Sequence, residues 1–151
     1  MKNLYERLTE LLNEPDDGSV FTTFLRDVER EPQISSFGER SALYYFDELG
    51  FTLKTIHGHF IQITLWIVGS GVQDTVRTSK AYSGKLPFNV EPSDTKETVT
   101  RKFGVVPTES AHLGFLRVRY AAPPFTIDFE FDQESGQMDK AWLGRTDFKM
   151  P

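Results

Sequence analysis

The chain has no cysteine among its 151 residues, which excludes disulfides, thiolate nucleophiles and cysteine metal sites. Histidine is scarce: His57, His59 and His112 are the only three. All lie in turn-like or loop-like surroundings, and no Gly-x-Ser-x-Gly elbow accompanies them, so no nucleophilic triad is visible. His57-x-His59 is the one metal-like spacing, but a third ligand would have to come from afar, and an exposed turn is the ordinary reading. Gly69-Ser70-Gly71 has no Walker lysine or capped helix close behind it, so it is not a phosphate-cradling loop. Long apolar runs are also missing. The most apolar stretch, Phe60 to Val68, is too short to span a bilayer and contains Gln62 and Thr64. The opening residues, Met1-Lys2-Asn3-Leu4-Tyr5-Glu6-Arg7, form no apolar signal core, so a cytoplasmic location is expected. Positive charge is in deficit, with 17 Lys and Arg against 22 Asp and Glu and a formal net charge of -5. That argues against nucleic acid as a general partner. It suits a basic protein partner, whose encounter a negative field would speed, although mild acidity also simply keeps a protein dissolved.

What is present is an ordinary globular balance: 38% hydrophobic and 26% charged residues, enough for one domain with a sizeable core. Thirteen Phe dominate the aromatics, with five Tyr and two Trp. Phe has no polar handle, so most of these rings are expected inside.

Helical spacing of Leu4, Leu8, Leu11 and Leu12 predicts an amphipathic helix over residues 2–13, ended by Pro15-Asp16-Asp17-Gly18. A second helix is expected from a Ser19 cap to about Arg30, with Val20, Phe21, Phe24, Leu25 and Val28 as its apolar stripe and Pro32 beyond it. The period then changes. Residues 41–68 alternate as three antiparallel strands, with His57-Gly58-His59 as one turn. Residues 69–82 show little periodicity and form a long loop, a kind of segment that is usually functional or mobile. Ser93 or Asp94 caps a third helix to Phe103, Glu97 completes a capping box from Asp94, and Gly104 closes it. Three more strands follow, near 115–120, 125–132 and 137–143.

One constant offset lays Ser19 on Ser93, Phe46 on Tyr120 and Phe51-Thr52-Leu53 on Phe125-Thr126-Ile127, with Pro32 one residue short of Pro107. Each half then reads helix, proline, three strands. The expected fold is α+β: one domain over 1–151, an antiparallel sheet of about six strands, helices on one face, and repeat halves near 19–68 and 93–143. The segment Ser93 to Gly104, Pro107 and three strands resembles one unit of the β-lactamase-inhibitor-protein-like plan, in which helices pack on one face of an antiparallel sheet. A second resemblance is closer in sequence. Tyr82-x-Gly84-x-Leu86-Pro87-Phe88, then Thr98-Val99 and Phe103-Gly104-x-x-Pro107, preceded by Gly50-Phe51-Thr52-Leu53, resembles a bacterial family of immunity-like proteins encoded near polymorphic toxins. It covers roughly Glu31 to Trp142 and departs at Asn89, where the family usually has Gly. The resemblance implies a protein that binds and neutralises a cognate toxin, without a cofactor. A non-catalytic adaptor in a bacterial protein complex is the alternative.

Three features supply contact candidates. In the strand Phe125 to Asp132, the residues Asp128, Glu130 and Asp132 share one face. Pairing Tyr120 with Phe125 sets Arg117 opposite Asp128 and leaves Glu130 and Asp132 without a cationic neighbour, an acidic face that would suit a basic toxin. A solvated face with weak surface ion pairs is the plainer reading. The spacing of these acids, about 7 Å along a strand, does not forbid a glycosidase pair, but an open sheet face offers no deep pocket. Trp66, with Gln62 and Thr64, should point away from the core as an interface anchor, unless a helix or loop covers it. The 69–82 loop adds Asp74, Arg77 and Lys80.

Overall fold

The computed structural model describes residues 2–68 and 79–147. Within them the order is α1 (Leu4–Leu11), α2 (Ser19–Val28), β1 (Gln33–Gly38), β2 (Ser41–Phe46), β3 (Phe51–Ile56), β4 (His59–Trp66), a short 3-10 turn (Pro87–Asn89), α3 (Lys96–Phe103), β5 (Thr108–His112), β6 (Phe115–Ala122), β7 (Phe125–Asp132) and β8 (Met138–Arg145). All eight strands join one antiparallel sheet in the order β1-β2-β3-β4-β8-β7-β6-β5. The expected six strands are therefore corrected to eight, and each half is a helix followed by four strands. The two missed strands, β1 and β5, are exposed at every position. Neither has a face to bury, so neither carries the alternation that reveals a strand.

The offset that relates the halves carries β2 onto β6 and β3 onto β7 at their first residues, Ser41 onto Phe115 and Phe51 onto Phe125. The halves run in mirrored order and meet where β4 pairs with β8, from Ile63↔Leu143 to Trp66↔Lys140.

The helices share one face of the sheet. Phe21 and Phe24 of α2 pack edge-on or tilted against Tyr44, Phe46, Phe51 and Phe60. Phe103 of α3 does the same in the second half, with ring centroids 4.5 Å from Tyr120 and 6.0 Å from Phe129. Leu8 and Leu11 of α1 complete the same cluster. Along the strands, Phe51, Leu53, Ile63, Leu65, Val118, Ile127 and Phe129 are buried. Ile61 and Phe125 are only partly so. Ile61 falls at a bulge where Lys54 pairs with Gln62 but Thr55 pairs with Phe60, which turns Phe60 inward in its place.

The helix starts differ from expectation by one or two residues. Gly18, not Ser19, caps α2. Thr95 caps α3 by accepting from the Thr98 amide, while Asp94 pairs with Lys102 at 2.7 Å. Gly104 closes α3 in the left-handed conformation at φ 69, as expected.

Candidate functional site

The face opposite the helices carries the polar chemistry. Strand register lines its side chains in two rows across the sheet. One row runs Thr52, Thr64, Trp142, Asp128, Arg119, Thr108. The next runs Trp66, Lys140, Glu130, Arg117, Ser110. Because next-but-one residues of a strand share a face, the inward Ala141 and Leu143 of β8 force Lys140 and Trp142 outward here.

These residues interlock. Lys140 is only 4% exposed, and its Nζ lies 5.2 Å from the ring centroids of both Trp66 and Trp142. Glu130 Oε1 is 3.8 Å from that Nζ. Burial lowers the Lys140 pKa below its ordinary value, against the pull of Glu130. Arg117 lays its guanidinium over Trp142, 4.1 Å from the ring centroid. Its Nε donates to Asp128 Oδ2 at 2.8 Å. Arg119 grips the same carboxylate in bidentate fashion, Nε to Oδ1 at 2.8 Å and Nη2 to Oδ2 at 3.0 Å. That hydrogen bond raises the Arg119 pKa. Trp66 is partly buried, and its indole N–H donates to Thr52 Oγ1 at 3.0 Å.

The acidic face expected from sequence is thereby corrected. Ala122, not Tyr120, pairs with Phe125, so Arg119 lies opposite Asp128 and Arg117 opposite Glu130. Asp128 is 3% exposed and holds two arginines, and Glu130 has Lys140 beside it. Asp132 accepts from the Glu134 and Ser135 amides and closes the β7–β8 turn. Among the described residues, Arg117 and Arg119 thus meet Asp128, and Lys140 meets Glu130, on this face. Trp66, Asp128 and Glu130, three of the proposed contacts, lie on this one face. Lys80 lies elsewhere, 2.6 Å from Glu48 beside the β2–β3 turn. Asp74 and Arg77 fall outside the described residues. Sequence reading placed Arg117 and Arg119 on a polar face but missed Lys140 and Trp142 as members of the site, although the alternation around Ala141 pointed to both.

The Tyr82 motif has a packing role. Tyr82 is buried and its hydroxyl donates to the Lys85 carbonyl at 3.0 Å. A Cβ on Gly84 would stand 2.3 Å from that hydroxyl, so glycine is what lets the chain cross the ring there. Asn89 sits at φ 59, the left-handed region that glycine occupies without cost and that asparagine tolerates, so the departure at this position leaves the turn intact. Behind the turn an apolar groove of about 460 Å³ is lined by Tyr5, Phe88, Phe103, Val105, Phe125 and neighbouring residues. Among the described residues, no group of three or more His, Asp or Glu converges as metal ligands would. His59 Nδ1 lies 3.1 Å from the His57 carbonyl within their own turn.

No family model matches the chain, and no curated protein matches it. Solved structures do. An extracellular protein containing a SCP domain from Bacillus anthracis str. Ames superposes with a TM-score of 0.59 at 7% identity, over 92% of this chain and 45% of that one. The likeness is one of fold. A cysteine-rich secretory protein from Staphylococcus aureus subsp. aureus Mu50 matches with a TM-score of 0.44 at 9% identity, over 90% of this chain and 49% of that one. The chain thus spans about half the length of the solved structures that it matches. Among the described residues, no helix is long and apolar enough to cross a membrane.

Proposed function

We propose that this chain is a stoichiometric protein-binding module of the immunity or inhibitor type, acting in the cytoplasm without a cofactor. It engages its partner with the face of the sheet opposite the helices. The observation that carries this reading is the ladder of Trp66, Lys140, Trp142 and Arg117, fixed by stacking and by ion pairs. Trp and Arg are the residue types that dominate binding hot spots. Their fixed geometry leaves little side-chain entropy to lose on binding. Asp128 and Glu130 serve the face as anchors of its cations rather than as contacts for a basic partner. The motif around Tyr82 supports kinship with immunity-like proteins, through packing rather than contact. An adaptor role is the alternative.

The test is recovery of the partner with the native chain, followed by its expression in cells that lack this chain. Killing that the chain suppresses supports the inhibitor reading; a harmless partner favours the adaptor. Trp142→Ala should weaken the complex by about 2 kcal/mol, the scale of a hot spot. Unchanged affinity for both Trp66→Ala and Trp142→Ala would remove this face as the interface.

A further inference from the structure

We infer that the recess at the β5–β6 side of this face receives a carboxylate from an acidic segment of the partner. This rests on the proposed binding face and reverses the partner charge expected from composition. The recess has a volume of about 270 Å³ and is lined by Thr108, Glu109, Ser110, Arg117, Arg119 and Asp128. Two guanidinium groups there share one carboxylate. Arg117 spends only its Nε on Asp128, and Arg119 spends Nε and Nη2. Both Nη groups of Arg117, and Nη1 of Arg119, have no acceptor among the described residues. The hydroxyls of Thr108 and Ser110 stand opposite Arg119 and Arg117 across the strand pair, and among the described residues neither is hydrogen-bonded. Glu109, also on the rim, is neutralised by Lys96 at 2.9 Å.

The recess therefore presents guanidinium and hydroxyl donors with one cation in excess. A planar carboxylate matches the guanidinium fork, whereas a lysine would meet donors and like charge. The net charge of the whole chain does not decide the matter. Beyond roughly 8 Å physiological salt screens exposed charges, so the local excess governs a docked group. Asp128 holds both forks in place before the partner arrives. Because β5 is the outermost strand, a partner reaches the recess from the edge of the sheet.

The probes are an oligoglutamate peptide, an oligolysine peptide and inorganic phosphate, each added to the full chain while the arginine Nε–H signals are followed by NMR. The expected result is a saturable shift at Arg117 and Arg119 with oligoglutamate, and none with oligolysine. Arg119→Gln should weaken that binding about fivefold, the worth of one exposed charge pair. The side chain of Arg119 is 57% exposed, so the variant should fold, and Arg119→Lys separates loss of the fork from loss of charge. Three results would overturn the inference: equal movement of Arg26 and Arg145, binding of oligolysine at the face, or phosphate acting as strongly as the peptide. The two proposals also fail separately. Oligoglutamate binding at the arginine pair, with no partner neutralised, leaves the recess standing and removes the inhibitor reading. A partner bound through Trp142, with both arginines unmoved by oligoglutamate, removes the recess alone.

Discussion

Replacing Lys140 with methionine tests whether the ion pair set into the sheet face behaves as a unit. The lysine side chain is 5% exposed and that of Glu130 13%, with 3.8 Å between Nζ and Oε1. Breaking a buried pair from one side costs about 3–5 kcal/mol, because the other charge is left behind. Two cation–π contacts add about 1 kcal/mol. The residual exposure of Glu130 and the apolar burial of methionine offset about half of that total, so Lys140→Met should cost about 2–3 kcal/mol. Glu130→Gln should cost a similar amount by leaving the ammonium. The double variant removes both charges and should cost less than the two single variants summed. Urea unfolding followed by tryptophan fluorescence is the assay, since both tryptophans of the chain flank Lys140. A pH series adds a second readout. Burial holds the Lys140 pKa below 10.5, so the unfolded chain binds this proton more tightly and the fold gains stability as the pH rises towards 10.5. Lys140→Met should lack that gain. Losses from the single variants that simply add in the double variant would refute the coupling, as would a Lys140→Met chain more stable than the native one.

Phe129 is fully buried against Phe103 and Tyr120, so Phe129→Ala should cost about 3–5 kcal/mol in chemical denaturation, and a loss below about 1 kcal/mol would contradict its placement. Gly84→Ala should cost about 1–3 kcal/mol through displacement of the Tyr82 ring, read as a lower thermal midpoint. The Ser135 and Glu134 amides hold the Asp132 carboxyl below its usual 3.8, so its contribution is complete above that value and is lost as the pH falls through the lowered one. Asp132→Ala should therefore flatten the acid limb of the stability profile.

The elements with a buried face were legible because burial writes its period into the residues. Phe51, Leu53, Ile63 and Leu65 show it in the first half, and Val118, Ile127 and Phe129 in the second. Gln33–Gly38 and Thr108–His112 bury nothing, and only pairing partners define them as strands. The acids of β7 were visible, and so was Arg117 as a partner for Asp128, but the neutralisation of Glu130 was not. It depends on a two-residue difference in register, from Tyr120↔Phe125 to Ala122↔Phe125, and register is set by the turn and by the core rather than by the charges themselves. Trp66 was legible as an outward residue. Its match with Lys140 and Trp142 required knowing that the two halves join at β4 and β8, a pairing that no local pattern in either strand encodes.

The mirrored strand order also concentrates the entropy of folding in one event. Every other strand pair in the sheet joins consecutive strands and closes over a short hairpin. The pairing of Ile63–Trp66 with Lys140–Leu143 instead joins the fourth strand to the eighth, across the whole second half of the chain. Loop-closure cost rises only with the logarithm of loop length, but it falls due before the contacts that repay it have formed. Each four-stranded half can zip up from its own hairpins, while the union of the halves waits on this single closure. The closing residues include Trp66 and Lys140, so the proposed binding face is assembled only when the two halves are joined.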